Sequence, residues 1–238
     1  MRIDEMTWNK LALIGAMNEE IELLVAHMSD VRETVKAGIT FREGTYFGKE
    51  VVVCRTGVGK VNAAVTTQIL IDKFAVEAII FTGVAGALDP ELNIGDLVVS
   101  SECMQHDMDV TPLGFARGII PYEAKSIFEA DSKLVDLAVA SGEKLFAGKV
   151  KKGRVLSGDQ FIASREVVAS LNTELGGVCV EMEGASVAQV CSMNAVPYVV
   201  LRSMSDKADG SAHVNFAEFT VQASENSYKM VEDIVKQL

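Results

Sequence analysis

What this chain lacks narrows its chemistry before any motif is read. Its 238 residues include four cysteines, three histidines, four prolines and one tryptophan. Cys54, Cys103, Cys179 and Cys191 form no C-x-x-C pair and lie in or beside apolar runs, which argues against a disulfide framework and fits buried thiols in a reducing compartment. His27, His106 and His213 show neither H-E-x-x-H nor two-His-one-carboxylate spacing, so a transition metal lacks its usual ligands. His106-Asp107 is half of a metal-binding pair without partner histidines. Positive charge is also scarce. With 22 Lys+Arg against 33 Asp+Glu the net charge is -11, which disfavours nucleic acid and anionic membrane surfaces as partners. The first apolar run, Leu11 to Ala16, is short and follows Asp4 and Glu5, unlike a secretory leader or a membrane span, so a cytoplasmic protein is expected.

Several familiar motifs fail as well. Gly57-Val58-Gly59-Lys60 resembles a phosphate loop, but Cys54 and Val61 stand where the full motif needs Gly and Ser or Thr. Asn62 occupies the third glycine position of a dinucleotide fingerprint. Ser157-Gly158-Asp159 and Gly210-Ser211-Ala212 lack the G-x-S-x-G elbow of a serine nucleophile. General acid-base chemistry by carboxylates remains.

What is present is an α/β pattern. Hydrophobic residues make up 49% of the chain, enough for one large core, and β-branched runs alternate with amphipathic stretches. Strands are predicted at Leu11–Ala16, Phe41–Phe47, Val51–Arg55, Ala78–Thr82, Leu97–Ser101, Val150–Leu156, Val178–Val180 and Tyr198–Arg202. Helices are predicted at Asn18–His27, Lys60–Phe74, Ser132–Phe146, Glu166–Leu175, Glu183–Met193 and Phe216–Val235. Neither a linker nor a repeat divides the chain, which reads as one domain over 1–238 with residues 1–9 a short N-terminal extension. Polar residues gather where strands end, at Met17-Asn18-Glu19-Glu20, Glu181-Met182-Glu183 and Ser203-Met204-Ser205-Asp206, and open α/β sheets bind ligands outside such ends. Taken singly, Glu20 reads as a first-turn helix acid, Asp206 as a turn residue and Arg202 as an ion-pair partner of Glu183 or Glu181.

Taken in order, Gly15-Ala16-Met17-Asn18-Glu19-Glu20, Thr82-Gly83-Val84-Ala85-Gly86, Ser157-Gly158-Asp159-Gln160-Phe161-Ile162, Val180-Glu181-Met182-Glu183-Gly184-Ala185 and Arg202-Ser203-Met204-Ser205-Asp206 say more. The chain resembles bacterial 5′-methylthioadenosine/S-adenosylhomocysteine nucleosidases from about Lys10 to its end. The resemblance implies a three-layer α/β/α fold around a central mixed, twisted sheet, nucleoside phosphorylase-like, and a homodimer without metal or organic cofactor. It implies hydrolysis of an adenine nucleoside, with Glu20 activating water, Arg202 near it, and Asp206, helped by Ser205, protonating the adenine. Glu183 would hold the ribose hydroxyls, Phe161 would stack on the base, and backbone around Gln160 and Ile162 would read its edge. Met17, Val58, Val84 and Met182 would line the ribose and 5′ region with Ala85, Gly86 and Glu181 close by, while Val110 and Leu113 would reach the neighbouring subunit's site.

The chain departs from many relatives at Val84, where they carry Ser, and at Leu113, where they carry Phe. Some relatives with Val there also cleave aminodeoxyfutalosine, so that substrate stays open beside 5′-deoxyadenosine. The alternative is a phosphate-dependent purine nucleoside phosphorylase; Gly15-Ala16-Met17 leads to Glu20 instead of the Gly-Asp-Pro and arginine of phosphate-using branches, which favours water. The chemistry suits paired carboxyl groups: breaking the bond puts positive charge on the sugar and negative charge on the base, calling for a base toward water and an acid toward the purine.

Overall fold

A computed structural model describes residues 8–207 and 212–238, the side chains of 212–217 excepted. Residues 1–7 of the expected extension, Gly210, Ser211 and the side chain of His213 lie outside what it describes. The chain begins with β1 (Lys10–Gly15), α1 (Glu22–Ala26), β2 (Ser29–Lys36), β3 (Ile39–Tyr46), β4 (Lys49–Arg55) and α2 (Lys60–Phe74). It continues through β5 (Ala78–Ala87), β6 (Leu97–Gln105), β7 (Ile127–Glu129), α3 (Ser132–Leu145), β8 (Val150–Ser157) and α4 (Arg165–Leu175). Then come β9 (Gly177–Glu181), α5 (Gly184–Asn194), β10 (Tyr198–Asp206) and α6 (Ala212–Gln237).

The inner strands carry unbroken apolar runs, Leu11–Ile14, Val51–Cys54, Ala78–Phe81 and Tyr198–Leu201, because both of their faces are covered. On β1, Ala12 and Ile14 pack with Ala63, Leu70 and Phe74 of α2 and with Ala185 and Ala188 of α5. Leu11 and Leu13 point the other way, into a core built with Leu24 of α1, Leu134 and Ala138 of α3, and Met230, Val231 and Ile234 of α6. This two-sided burial is the three-layer arrangement expected, and each fully buried Leu, Ile or Val contributes about 1.5–3 kcal/mol to it. A smaller cluster under α4 joins Leu171 and Leu175 to Leu156 and Val180.

The sheet is mixed. Parallel pairings join β1 to β4 and β5, β5 to β10, and β8 to β6 and β9, whereas β2, β3 and β4 are antiparallel neighbours. Strand β5 pairs with β10 along its length and, at Gly86 and Ala87, with β9. Because β10 pairs with β6, β6 with β8 and β8 with β9, that half of the sheet closes into a ring. The predicted strand at 78–82 therefore runs on to Ala87, and that at 198–202 to Asp206. Their small or polar C-terminal halves look unlike core strands because they face a cavity.

Two strands escaped the sequence reading. β2 is exposed at nearly every position, so no hydrophobic alternation marks it, and β7 has three residues. Conversely, the helix expected over 18–27 is only Glu22–Ala26, preceded by a turn in which the Asn18 carbonyl accepts from the Ile21 and Glu22 amides.

Candidate active site

That turn exists to place Glu20. Its carboxylate folds back onto the end of β1, where Oε2 accepts from the amides of Ala16 at 2.6 Å and Met17 at 2.9 Å. Oε1 accepts from the Val84 amide of β5 at 3.0 Å. Glu20 is thus not a first-turn helix acid; it precedes the helix and joins two strand ends. Glycines make room for it: a Cβ on Gly15 would lie 2.7 Å from the Glu20 Cβ, and one on Gly83 would lie 2.6 Å from Oε1. Burial raises the Glu20 pKa above its ordinary value, while Arg202 and the three backbone donors pull against that rise. A carboxylate so placed is a stronger proton acceptor than a solvated one.

Arg202 of β10 is buried, and its Nη2 pairs with Glu181 Oε2 at 2.6 Å. Its Nη1 donates to the Leu201 carbonyl at 3.0 Å, and its guanidinium lies 4.1 Å from the Phe81 ring centre. Of the two partners considered from sequence, Glu181 is the one it pairs with. Glu181 lines the cavity, yet its oxygens are engaged internally by Arg202, the Ser157 hydroxyl and the Gly184 amide. Its position is that of an anchor within the cavity wall.

Glu183 stands just before α5 and accepts from the Gly59 amide through Oε1 at 2.7 Å. Burial first, and then the neighbouring Glu181, push its pKa up to about 8. Asp206 ends β10, where the register against β5 slips between Met204 and Asp206. Such a bulge re-aims a side chain, and Asp206 lines the cavity with its Oδ2 accepting from the Ser205 hydroxyl at 2.9 Å.

These groups surround one cavity of about 310 Å³. Glu20, Glu183, Asp206 and Ser205 share its wall with Met17, Val58, Val84, Ala85, Gly86, Gln160, Phe161, Ile162, Glu181 and Met182. Ala16 and Val180, which the sequence reading did not single out, line it too. Arg202 stands behind the wall, facing Glu20 and Glu181. Phe161 and Val58 are about half exposed at the rim. Val110 and Leu113 do not line this cavity; Leu113 sits on a 3-10 turn (Thr111–Leu113) and is 70% exposed.

The failed phosphate loop has a physical explanation. It does open a helix, α2, whose first amides receive carboxylates of the chain itself: Gly59 binds Glu183 and Lys60 binds Asp159 Oδ1 at 2.8 Å. His106 is buried, and Asp107 is paired with Lys60; among the described residues no group of three His, Cys, Asp or Glu side chains is placed to hold a metal ion.

Comparison with known proteins gives the chain its relatives. The sequence model of the phosphorylase superfamily matches residues 10–236. A 5′-methylthioadenosine/S-adenosylhomocysteine nucleosidase of Marinomonas sp. (strain MWYL1) is 42% identical over 229 residues, covering 95% of this chain and 98% of its own. The crystal structure of the nucleosidase of that name from Neisseria meningitidis, in complex with methylthio-immucillin-A, superposes with a TM-score of 0.92 at 40% identity, covering 97% of this chain and 100% of its own. The futalosine hydrolase of Helicobacter pylori strain 26695 also has a TM-score of 0.92, at 37% identity, covering 97% of this chain and 98% of its own.

Proposed function

Because the chain belongs to the phosphorylase superfamily and, within it, to the 5′-methylthioadenosine/S-adenosylhomocysteine nucleosidases, we propose that its cavity hydrolyses the N-glycosidic bond of those two nucleosides by carboxylate acid-base catalysis. The observation that carries this mechanism is that Glu20 and Asp206, 186 positions apart in the chain, share one cavity with Glu183.

Glu20, held by three backbone amides and made more basic by burial, takes a proton from water as it attacks C1′. Asp206, hydrogen-bonded by Ser205, delivers a proton to N7 of the departing adenine. Glu183 binds the ribose hydroxyls, and Arg202 balances the negative charge gathered around Glu20 and Glu181. Phe161, with the Gln160 and Ile162 backbone, receives the base at the rim. Water rather than phosphate is the nucleophile: the helix starts beside the cavity are occupied by carboxylates of the chain itself, that of α2 by Glu183 and Asp159 and that of α5 by Glu181.

The 5′ substituent passes Met17, Val58 and Val84, and a valine there excludes no hydroxyl-free tail, so 5′-deoxyadenosine and aminodeoxyfutalosine fall within the proposed range; the likeness to a futalosine hydrolase supports the latter. The active form is a homodimer in which the exposed Leu113, with Val110, covers the neighbouring site. Four buried thiols suit a cytoplasmic enzyme; among the described residues no helix is long and apolar enough to cross a membrane.

The decisive experiment is incubation with methylthioadenosine in phosphate-free buffer. Free adenine and methylthioribose are expected. Intact substrate, or turnover only with phosphate and release of a sugar 1-phosphate, overturns the reading.

A further inference from the structure

Beside the cavity, the start of α2, the segment that follows β6 and the loop that follows β8 meet in a closed circuit that takes no part in the acid-base chemistry. The Lys60 ammonium lies 2.7 Å from Asp107 Oδ1 and donates to Gln105 Oε1 at 3.0 Å. Asp107 Oδ2 accepts from the Asp159 amide at 2.9 Å, and Asp159 Oδ1 accepts from the Lys60 amide at 2.8 Å, which returns the circuit to its start. The side chains of Lys60 and Asp107 are 20% and 14% exposed, so solvent screens this pair less than a surface bridge.

The circuit's members adjoin groups that face the ligand. Lys60 follows Gly59, whose amide holds Glu183, and Asp159 precedes Gln160 and Phe161. Gly59 is tight against the circuit as well: a Cβ there would meet Asp159 Oδ1 at 3.0 Å. An ion pair taken out of water is an inefficient way to gain stability, since apolar packing of the same volume does as well or better. What a directional pair supplies is register between two loops.

We propose that the Lys60-Asp107-Asp159 circuit is a positioning device, which fixes the loop carrying Gln160 and Phe161 at a set spacing from the α2 start that holds Glu183, so that base and sugar are gripped together. The proposal rests on the reading of the cavity as a nucleoside site. Its effect falls on binding common to substrate and transition state, which appears in KM more than in kcat.

The test measures steady-state kinetics on methylthioadenosine, inhibition by adenine and thermal unfolding for the full chain and for Lys60→Met, Lys60→Arg and Asp107→Asn. Lys60→Met and Asp107→Asn should raise KM about tenfold and weaken adenine inhibition about fivefold, with kcat within about threefold of the parent. Lys60→Arg, whose fork offers donors to both Asp107 and Gln105, should return KM to within about threefold. An unchanged KM in the Met and Asn variants overturns the proposal. So does a fall in kcat that follows loss of folded protein with no rescue by arginine, which would mark a purely structural pair. An inactive parent would instead sink the nucleoside reading.

Discussion

The floor and the rim of the cavity are built on different principles. At the floor, Glu20, Glu181 and Arg202 are buried, and their hydrogen bonds run to backbone, to one another and to the Ser157 hydroxyl. At the rim, Phe161 and Val58 are half exposed. The floor is a preorganised electrostatic arrangement, of the kind whose worth comes from not having to rearrange as charge develops. The rim is a contact surface, where a residue changes affinity by what it covers.

The comparison is broken most sharply at the reacting groups. Glu20→Gln and Asp206→Asn should each lower kcat on methylthioadenosine by about 10²–10⁴-fold with the fold intact; near-parental turnover for either would remove that residue from the mechanism. Next comes Glu181→Gln, which leaves the Arg202 charge buried and short of its partner. A loss of about 3–5 kcal/mol of stability is expected, read as a Tm lower by about 10 °C; an unchanged Tm would mean that the floor does not depend on this pair. Gly83→Ala should lower kcat by about 10²-fold, since its methyl would displace Glu20 from its geometry, and crystallography of that variant would show whether the carboxylate moved.

A fourth prediction concerns pH. The folded chain holds Glu183 at about 8 against an ordinary 4.5, so between those values the native state keeps a proton that the unfolded chain has released. The group's favourable contribution is complete below its unfolded pKa and is lost as pH rises through the folded one. Glu183→Gln should therefore flatten the decline in Tm between about pH 5 and about pH 8.5, by about 3 °C or more; parallel Tm profiles for parent and variant would contradict this. The smallest effect belongs to the rim. Phe161→Ala should raise KM about tenfold through lost stacking on the base and leave kcat nearly unchanged, and a large fall in kcat would show that the rim shares the floor's role.

Much of this arrangement was legible in the residues. The helix at 60–74 has the bounds expected of it, and the inner strands are recognisable as apolar runs. Cavity residues were found where polar groups follow strands. What stayed hidden was non-local. Nothing near Glu20 in sequence announces that its partner amide is Val84, nor does Gly57-Val58-Gly59-Lys60 reveal that its anion is Glu183. The Lys60-Asp107 pair spans 47 positions and carries no motif of its own. β2 was missed because strand formation there depends on β3 alone, through backbone pairing from Ser29 to Lys36, without a buried face to leave a pattern.

That outer strand has a bearing on how the protein behaves in a crowded solution. Among the described residues, ring closure leaves the long sheet with one extended margin, β2, beside the three-residue β7. An unsatisfied strand margin is a template for stacking with another copy, the first step toward fibrils. Here it carries Asp30, Arg32, Glu33 and Lys36 and is kinked where its register slips between Ser29 and Arg32. The residues that made this strand invisible to pattern reading are the ones that make it a poor docking edge for its own kind.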